Sequence, residues 1–408
     1  MQVYLVGGAV RDEQLGIPVR ERDWCVVGAT PEEMIAEGYK PVGKDFPVFL
    51  HPQTSEEYAL ARTERKTGAG YHGFAFNTSP DVTIEDDLSR RDLTINAIAM
   101  DAAGNVVDPH GGLRDIEDRI LRHVSDAFVE DPVRVLRTCR FAARFHHLGF
   151  RIADETMQFM QRIVADREVD ALVPDRVWKE MDLALTNRDS RIFFEQLRAC
   201  GALKVVLPEV DALFGIPQPE KWHPEIDAGL HTMMVLEQAE KLSDDGDVRF
   251  AALVHDLGKA TTRKSDLPSH PGHEIRSVKL IGKLAERLPV PRAYRDLGLL
   301  LAEFHTHCHR AEDLRDKTFV KVLDGCDAFR RPERFEKFLL ACEADARGRT
   351  GLENRRYPQA DRFRTAFAAA KSVDTASIAE MKEGSKIRDA IRKARIAAVR
   401  NALSQSPP

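Results

Sequence analysis

The sequence predicts an α+β N-terminal domain followed by all-α domains, and three observations predict it. Short apolar runs punctuated by Gly and Pro recur over residues 1–130, as strands and turns do. From Asp131 strand signals almost vanish, and apolar residues recur at helical spacing. Pro208, Pro217, Pro219 and Pro224 then interrupt the helical pattern and place a boundary near 205–225.

The 408 residues are 43% hydrophobic and 31% charged. This is an ordinary globular composition, with room for about two to four domains. A net charge of −5 excludes a global basic field, so any RNA site must be a local patch. Cys25, Cys139, Cys200, Cys308, Cys326 and Cys342 form no CxxC pair. They read as thiols of a reducing compartment, not a disulfide frame or zinc ribbon. No apolar run approaches the ~18 residues of a membrane span, and the start shows no leader pattern. The expectation is a cytoplasmic protein without a membrane partner.

In order, strands are expected at Val3–Val6, Trp24–Val27, Val48–Leu50, Tyr58–Ala61 and Val106–Asp108. Gly43, Pro47, Pro52, Gly68, Gly70 and Gly73 punctuate them. Helices are expected at Val10–Leu15, at Thr30–Glu37 and from about Leu93 to Met100. Thr30 with Glu33 has the spacing of a capping box. Val133 to Ala142, Met157 to Ile163, Arg176–Leu185 and Ile192–Ala199 continue as helices. A second helical segment runs from Gly229 to about Arg349. Residues 350–408 read as helical and charged with few large apolar side chains, and are expected to pack weakly or serve as a tail. The domains read as 1–130, 131–220, 221–349 and 350–408.

The first chemical signal is Leu5-Val-Gly-Gly-Ala-Val-Arg-Asp12, followed by Glu21-Arg-Asp23. Gly7-Gly8 after a strand is either a plain tight turn or a close backbone approach to phosphate. Arg11 can fork onto phosphate oxygens. Glu21 and Asp23, two apart, point the same way if both lie on a strand. Alone they read as a solvated strand edge. Beside phosphate binders they suit Mg²⁺ bridging protein and nucleoside triphosphate, which suggests nucleotidyl transfer.

Three further stretches follow. In Arg90-Arg-Asp-Leu-Thr-Ile-Asn-Ala-Ile-Ala99, Arg91 offers a second phosphate fork and Asp92 a helix start. Asn96 needs a partner if buried, backbone or ribose. Gly111-Gly112 in the DPHGGLRD string marks a structural turn. In Glu130-Asp-Pro-Val-Arg-Val-Leu-Arg-Thr-Cys-Arg140, Pro132 fits a first helical turn. Arg134, Arg137 and Arg140 form one stripe. The stripe is either a solvated basic face or, given Phe141 and Phe145, a buried one needing anionic or base partners. Asp131 and Arg134, acceptor beside donor, can hydrogen-bond a base edge. Arg134, Arg137, Arg140, Arg144, Arg151 and Arg162 are the candidate basic patch.

His255-Asp256 closes an apolar run and leads into Leu-Gly-Lys259. At a helix end both can reach one metal. With His231 and a distant Asp they would make a mixed N/O site for a transition metal, able to activate water for phosphoester hydrolysis. His273 and His305 are second choices. His307 and His309 are assigned to the surface.

The strings LVGGAVRD, RRDLTINAIA, DPHGGLRDIEDRILRHV and EDPVRVLRTCRFAARF, in this order, resemble the class II CCA-adding tRNA nucleotidyltransferases of bacteria. KWHPEIDAGLHT, HDLGK and GRTG extend the resemblance to multifunctional CCA proteins with a C-terminal HD domain. It implies a palm-like nucleotidyltransferase head, a helical neck over 131–220, and an HD domain over 221–349. It implies template-independent addition of C, C and A to tRNA from CTP and ATP. An HD phosphatase and 2′,3′-cyclic phosphodiesterase dependent on Ni²⁺ or another transition metal is implied as well. Gly8, Arg11, Arg91, Arg137 and Arg140 would contact nucleotide, and Asp131 and Arg134 would choose the base. Glu21 and Asp23 would be catalytic and hold Mg²⁺. His231, His255, Asp256 and Asp345 would form the HD site. The family usually has Asp where this chain has Glu21, which is still a hard oxygen ligand but one methylene longer. The alternatives are a poly(A) polymerase of the same superfamily and an RNA-binding module without catalysis. Either a monomer or a homodimer is expected.

Overall fold

The computed structural model describes residues 1–42, 48–66, 74–380 and 385–405. The punctuating Gly43, Pro47, Gly68, Gly70 and Gly73 lie outside them. The chain divides into two compact units. One is Met1–Ala184 with Ile192–Val206, and the other is Leu185–Arg191 with Leu207–Pro408.

The first unit is built on a seven-stranded mixed sheet. Its strands are β1 (Gln2–Val6), β2 (Asp23–Val27), β3 (Lys40–Pro41), β4 (Val48–Leu50) and β5 (Glu57–Leu60), with β8 (Ala99–Asp101) and β9 (Val106–Val107). A separate ribbon pairs β6 (Thr63–Lys66) with β7 (Phe74–Asn77). The sheet order is β3-β4-β5-β2-β1-β8-β9. Its centre is where alternation is cleanest. Cys25 packs with Val6, Ala61 and Ala99 on one face, and Val26 with Met34, Phe49 and Leu60 on the other. The same alternation puts Asp23, at the start of β2, on the Cys25 face.

Helices α1 (Gly8–Gln14), α2 (Pro31–Ala36), α3 (Ile84–Ser89) and α4 (Gly112–Glu117) join these strands. Thr30 and Glu33 cap α2 with both reciprocal hydrogen bonds in place, as their spacing predicts. The helix expected over Leu93–Met100 does not form. A short 3₁₀ turn at Thr94–Asn96 leads into β8, which pairs with the central strand β1. Leu93, Ile95, Ala97, Ile98 and Ala99 are all fully buried. A run buried on every side carries no helical stripe, so periodicity could not separate helix from buried strand.

After Asp131 the unit is helical, with α5 (Val133–Phe145), α6 (Asp154–Ala165), α7 (Pro174–Leu185), α8 (Ser190–Ala199) and α9 (Leu203–Val206). One strand pair escaped the sequence reading: β10 (Ile120–Leu121) pairs in parallel with β11 (Arg151–Ile152). Two-residue strands are too short to show a period.

In the second unit α10 (Pro208–Asp211) precedes a set of packed helices. They are α11 (Ala228–Leu242), α12 (Gly246–Val254), α13 (His273–Arg287), α14 (Arg292–His309), α15 (Asp316–Gly325) and α16 (Pro332–Arg347). The chain ends with α17 (Pro358–Lys371), α18 (Thr375–Glu380) and α19 (Ser385–Gln405). The weak packing expected of residues 350–408 is wrong. Tyr357, Ala360, Phe363, Ala366, Ala370, Val399 and Leu403 join one core cluster with Phe319, Phe335 and Phe338. Small residues carry much of that seam. Close helix contact needs few large side chains when alanines line it, and composition alone hid this.

Candidate functional site

In the first unit the glycine turn, the buried loop after α3 and helix α5 converge on one polar network. Gly7 has φ of 66°, which L side chains rarely adopt. A Cβ there would stand 2.7 Å from Arg91 Nη1. Arg91 bonds Asp87 Oδ2 at 3.0 Å through Nη2, and Arg90 bonds Asp87 Oδ1. Burial would raise the Asp87 carboxyl, but Arg91 and Arg90 outweigh it and hold it at about 2.

Arg11 turns inward. It is 2% exposed, donates to Asp12 and Asn96, and lies over the rings of Phe141 and Phe145. Burial pulls its guanidinium down to about 10. Asn96 Nδ2 donates in turn to Asp92 Oδ1 at 3.0 Å, which is the partner its burial requires. Asp92 also accepts from Leu93 N at 2.9 Å and Arg137 Nε at 2.7 Å. Burial would raise its carboxyl, yet Arg137 and Asn96 hold it well below the ordinary range. Asp92, read as a helix start, is thus the node between the head and α5.

On α5, Arg140 Nε bonds Glu180 Oε2 at 2.5 Å. Arg134 donates to the carbonyls of Ala127 and Arg90. Arg176 forks onto Asp131 at 3.0 and 2.7 Å. The arginine stripe therefore takes anionic and carbonyl partners from the protein itself, as a mostly buried helix demands. The candidate basic patch is not one surface. Arg134 and Arg140 are buried, Arg144 pairs with Asp12, and only Arg151 and Arg162 of the six are exposed.

Glu21 lies before β2 rather than on it, so the alternation argument reaches only Asp23. The two acids still interact. Burial, the neighbouring Glu57 and Glu21 raise the Asp23 carboxyl, against Arg91. Glu57 faces Asp23 across the parallel β2–β5 pair. Sequence gave no sign of this third acid, since strand partners are set by the fold. Oxygen-only donors at a solvent-facing edge fit a hard cation such as Mg²⁺, which keeps several waters.

The second unit holds every group of three or more convergent His, Asp and Glu donors found among the described residues. His231 on α11, His255 and Asp256 at the end of α12, and Asp345 on α16 meet. His231 Nε2 is 3.1 Å from Asp345 Oδ1. His255 Nε2 is 3.1 Å from Asp256 Oδ2 and 3.8 Å from Asp345 Oδ1. All four are almost wholly buried. Gly258 makes the corner possible, since a Cβ there would stand 2.2 Å from His273 O on the next helix.

His273 and His305 lie on the other side of Asp256, at 3.3 and 3.7 Å from Oδ1. His309, assigned to the surface, instead donates to Asp345 Oδ2 at 2.6 Å and meets the Tyr357 hydroxyl. Its spacing of four from His305 on α14 puts both on one helical face, a signal that was available. His307 stays outside the cluster. Glu225 contacts His223 and His231 Nδ1, both at 3.0 Å. Lys259 Nζ lies 2.6 Å from Asp256 Oδ2.

Burial opposes ionisation of Asp256 and Asp345. His255 with Lys259, and His309 with His255, nevertheless hold the two carboxyls well below the usual range. Burial drives His305 down to about 3, so its imidazole is neutral. Two buried polar atoms, His255 Nε2 and Asp256 Oδ1, have no hydrogen-bond partner. Buried acceptors aimed at one another in a mixed N/O set fit a transition cation.

Three families match by sequence. "Poly A polymerase head domain" covers residues 3–122, "Probable RNA and SrmB- binding site of polymerase A" 149–214, and "HD domain" 229–329. A relative from Thioalkalivibrio sulfidiphilus, named "Multifunctional CCA protein", is 60% identical over 401 residues, covering 98% of each chain. One of the same name from Vibrio vulnificus (strain YJ016) is 59% identical over 404 residues, covering 99% of each. The fold matches a CCA-adding enzyme solved with CTP, at TM-score 0.66 and 18% identity over 98% of this chain and 87% of that one. No helix among the described residues is long and apolar enough to cross a membrane. At such identity over nearly the whole of each chain, the chain belongs to the multifunctional CCA protein family.

Proposed function

We propose that the chain adds C, C and A to the 3′ end of tRNA from CTP and ATP, without a nucleic-acid template. The observation that carries this is near-full-length identity of about 60% with relatives named for that activity. In the reaction the tRNA 3′-oxygen bonds to the α-phosphorus, the bond to pyrophosphate breaks, and the hydroxyl loses its proton. Glu21 and Asp23 would hold Mg²⁺, with Glu57 beside Asp23 on the neighbouring strand. When bound, Mg²⁺ neutralises the triphosphate and assists departure of pyrophosphate.

The chain's own residues supply position and charge. Gly7-Gly8 lets nucleotide approach the backbone, and Arg91, anchored by Asp87, stays pre-aimed beside it. Arg11, Asn96, Asp92 and Arg137 hold α5 rigidly against the turn, and Arg140 completes that face. Asp131 and Arg134 would read the base edge. Their partners are Arg176 and two main-chain carbonyls, so base reading requires those partners to be exchanged.

His231, His255, Asp256 and Asp345 would hold Ni²⁺ or another transition ion, which supplies an activated water for phosphatase and 2′,3′-cyclic phosphodiesterase chemistry. Lys259 sets a cation beside Asp256, placed to attract a phosphoester. The six free cysteines, all buried, support a cytoplasmic setting. A poly(A) polymerase is the second reading, favoured by the description of the matching head family.

Incubation with tRNA lacking its terminal CCA, and each triphosphate alone or together, separates the two. Expected is C addition from CTP, and A addition only after it. Poly(A) growth on ATP alone overturns the first reading. In the same assay Asp131→Ala should relax choice between CTP and ATP by roughly tenfold or more, the worth of a base-edge hydrogen-bond pair.

A further inference from the structure

Residues 217–227 form a pinned loop before α11. Pro217 bridges Asp227, and Gln218 N donates to Ile226 O at 2.6 Å. His270 Nε2 donates to Pro217 O at 3.1 Å. On the inner side the ring of His223 meets that of His231 edge-on, with 4.6 Å between centroids. Trp222 N and His223 N both donate to Pro219 O at 3.0 Å, which makes a tight turn. Trp222 is thus held one residue, about 3.8 Å of chain, from a ring that touches the buried donors.

Two side chains of this loop keep unused recognition groups. Trp222 is 59% exposed, whereas Trp178 is buried and Trp24 half-buried. A lone exposed apolar side chain is ordinary. This one has the Lys221 ammonium 4.8 Å from its ring centroid. An aromatic face beside a cation is how single-stranded nucleic acid is held, with the base on the ring and the phosphate on the cation. Gln218 is the second. It is 2% exposed, and Lys259 donates to its amide oxygen. A lysine only donates, so the amide is fixed one way round and its NH₂ faces elsewhere. That Nε2 is buried with no hydrogen-bond partner among the described residues. A buried donor costs stability until an acceptor reaches it. Lys259 Nζ lies 2.6 Å from Asp256 Oδ2, so the amide stands beside the centre. An anionic phosphoester oxygen is the acceptor that suits it.

We propose that Gln218 and Trp222 recognise the nucleotide on which the second unit acts. Gln218 Nε2 donates to the phosphoester, and the Trp222 ring stacks on a base. The ligand is a nucleoside 2′,3′-cyclic phosphate, either free or at the 3′ end of an RNA strand. This rests on the reading of the second unit as a phosphoesterase.

The full-length chain is assayed on adenosine 2′,3′-cyclic phosphate, on a short RNA ending in the same group, and on glycerol 2-phosphate, which has no base. Trp222→Ala should raise KM for the two nucleotide substrates by roughly fivefold to a hundredfold, the worth of one stacked base. Its kcat, and its kinetics on glycerol 2-phosphate, should not change. Trp222→Phe should restore most of the affinity. Gln218→Met should raise KM for all three substrates, with thermal melts verifying folding. Independently of turnover, adenosine 3′-phosphate should quench the emission of the parent but not of Trp222→Phe. A loss on both nucleotide substrates assigns the ring to the terminal base, and a loss on the RNA alone assigns it to a base further along the strand. Unchanged KM of Trp222→Ala on both, or an equal loss on glycerol 2-phosphate, overturns the proposal. The two readings fail separately. Cleavage retained without any preference set by Trp222 removes the base site alone, whereas quenching at Trp222 without cleavage of any phosphoester keeps the base site and removes the hydrolase.

Discussion

Asp87 and Asp92 show what single carboxylates do in the head. Each is buried, and each pairs with an arginine of the proposed nucleotide site, Asp87 with Arg91 and Asp92 with Arg137. The Asp87 carboxyl drops from its ordinary 3.8 to about 2 because Arg91 and Arg90 outweigh the burial that would raise it. A depressed carboxylate adds stability above its unfolded pKa and loses it as pH falls through the folded one. For Asp87 the window runs from about pH 4 down to about 2, and the full contribution is roughly 2 kcal/mol. Asp87→Asn should therefore destabilise the protein at pH 7 and flatten its acid limb. Urea midpoints from pH 2 to pH 7 measure this. A gap between parent and variant that does not change with pH would refute it. Asp87 stands only three and four residues before its arginines and was within reach of the sequence, whereas Arg137 comes to Asp92 from α5.

At the scale of elements, the β2 strand, the α2 capping box and the buried arginine helix α5 were legible, because each depends on near neighbours. The stretch from Leu93 to Met100 was not. Whether an evenly apolar run becomes strand or helix depends on the open place beside β1. The last helices were misjudged for a related reason. Phe363 is fully buried and packs at a tilt against Phe319, with 4.7 Å between ring centroids. Phe363→Ala should cost about 3–5 kcal/mol, as emptied aromatic core sites do, and lower the melting temperature of the whole second unit. An unchanged melt would mean that α17 packs as loosely as its composition suggests.

At the scale of the molecule, the residues of the two proposed chemistries fall in separate compact units. His255 belongs to one and Asp23 to the other. His255→Ala should abolish metal-dependent phosphatase activity and leave CCA addition within about twofold, since independent sites with no shared partners do not couple. Parallel assays on one preparation decide this. A joint fall of both activities in a folded variant would mean a single shared centre.

The sequence by itself determined the α+β head, the helical remainder and many of the residues that now face one another, though not Asp87, Glu57, Glu180 or Glu225. Those features rest on short-range periodicity and on long ordered motifs. Tertiary structure alone decided the partners. It set Glu57 across from Asp23, Asn96 between Arg11 and Asp92, Arg176 on Asp131, and His273, His305 and His309 around Asp256 and Asp345. The physical reason is that a side chain's charge state and reach are set by groups brought close through the fold, and sequence distance carries no measure of that closeness.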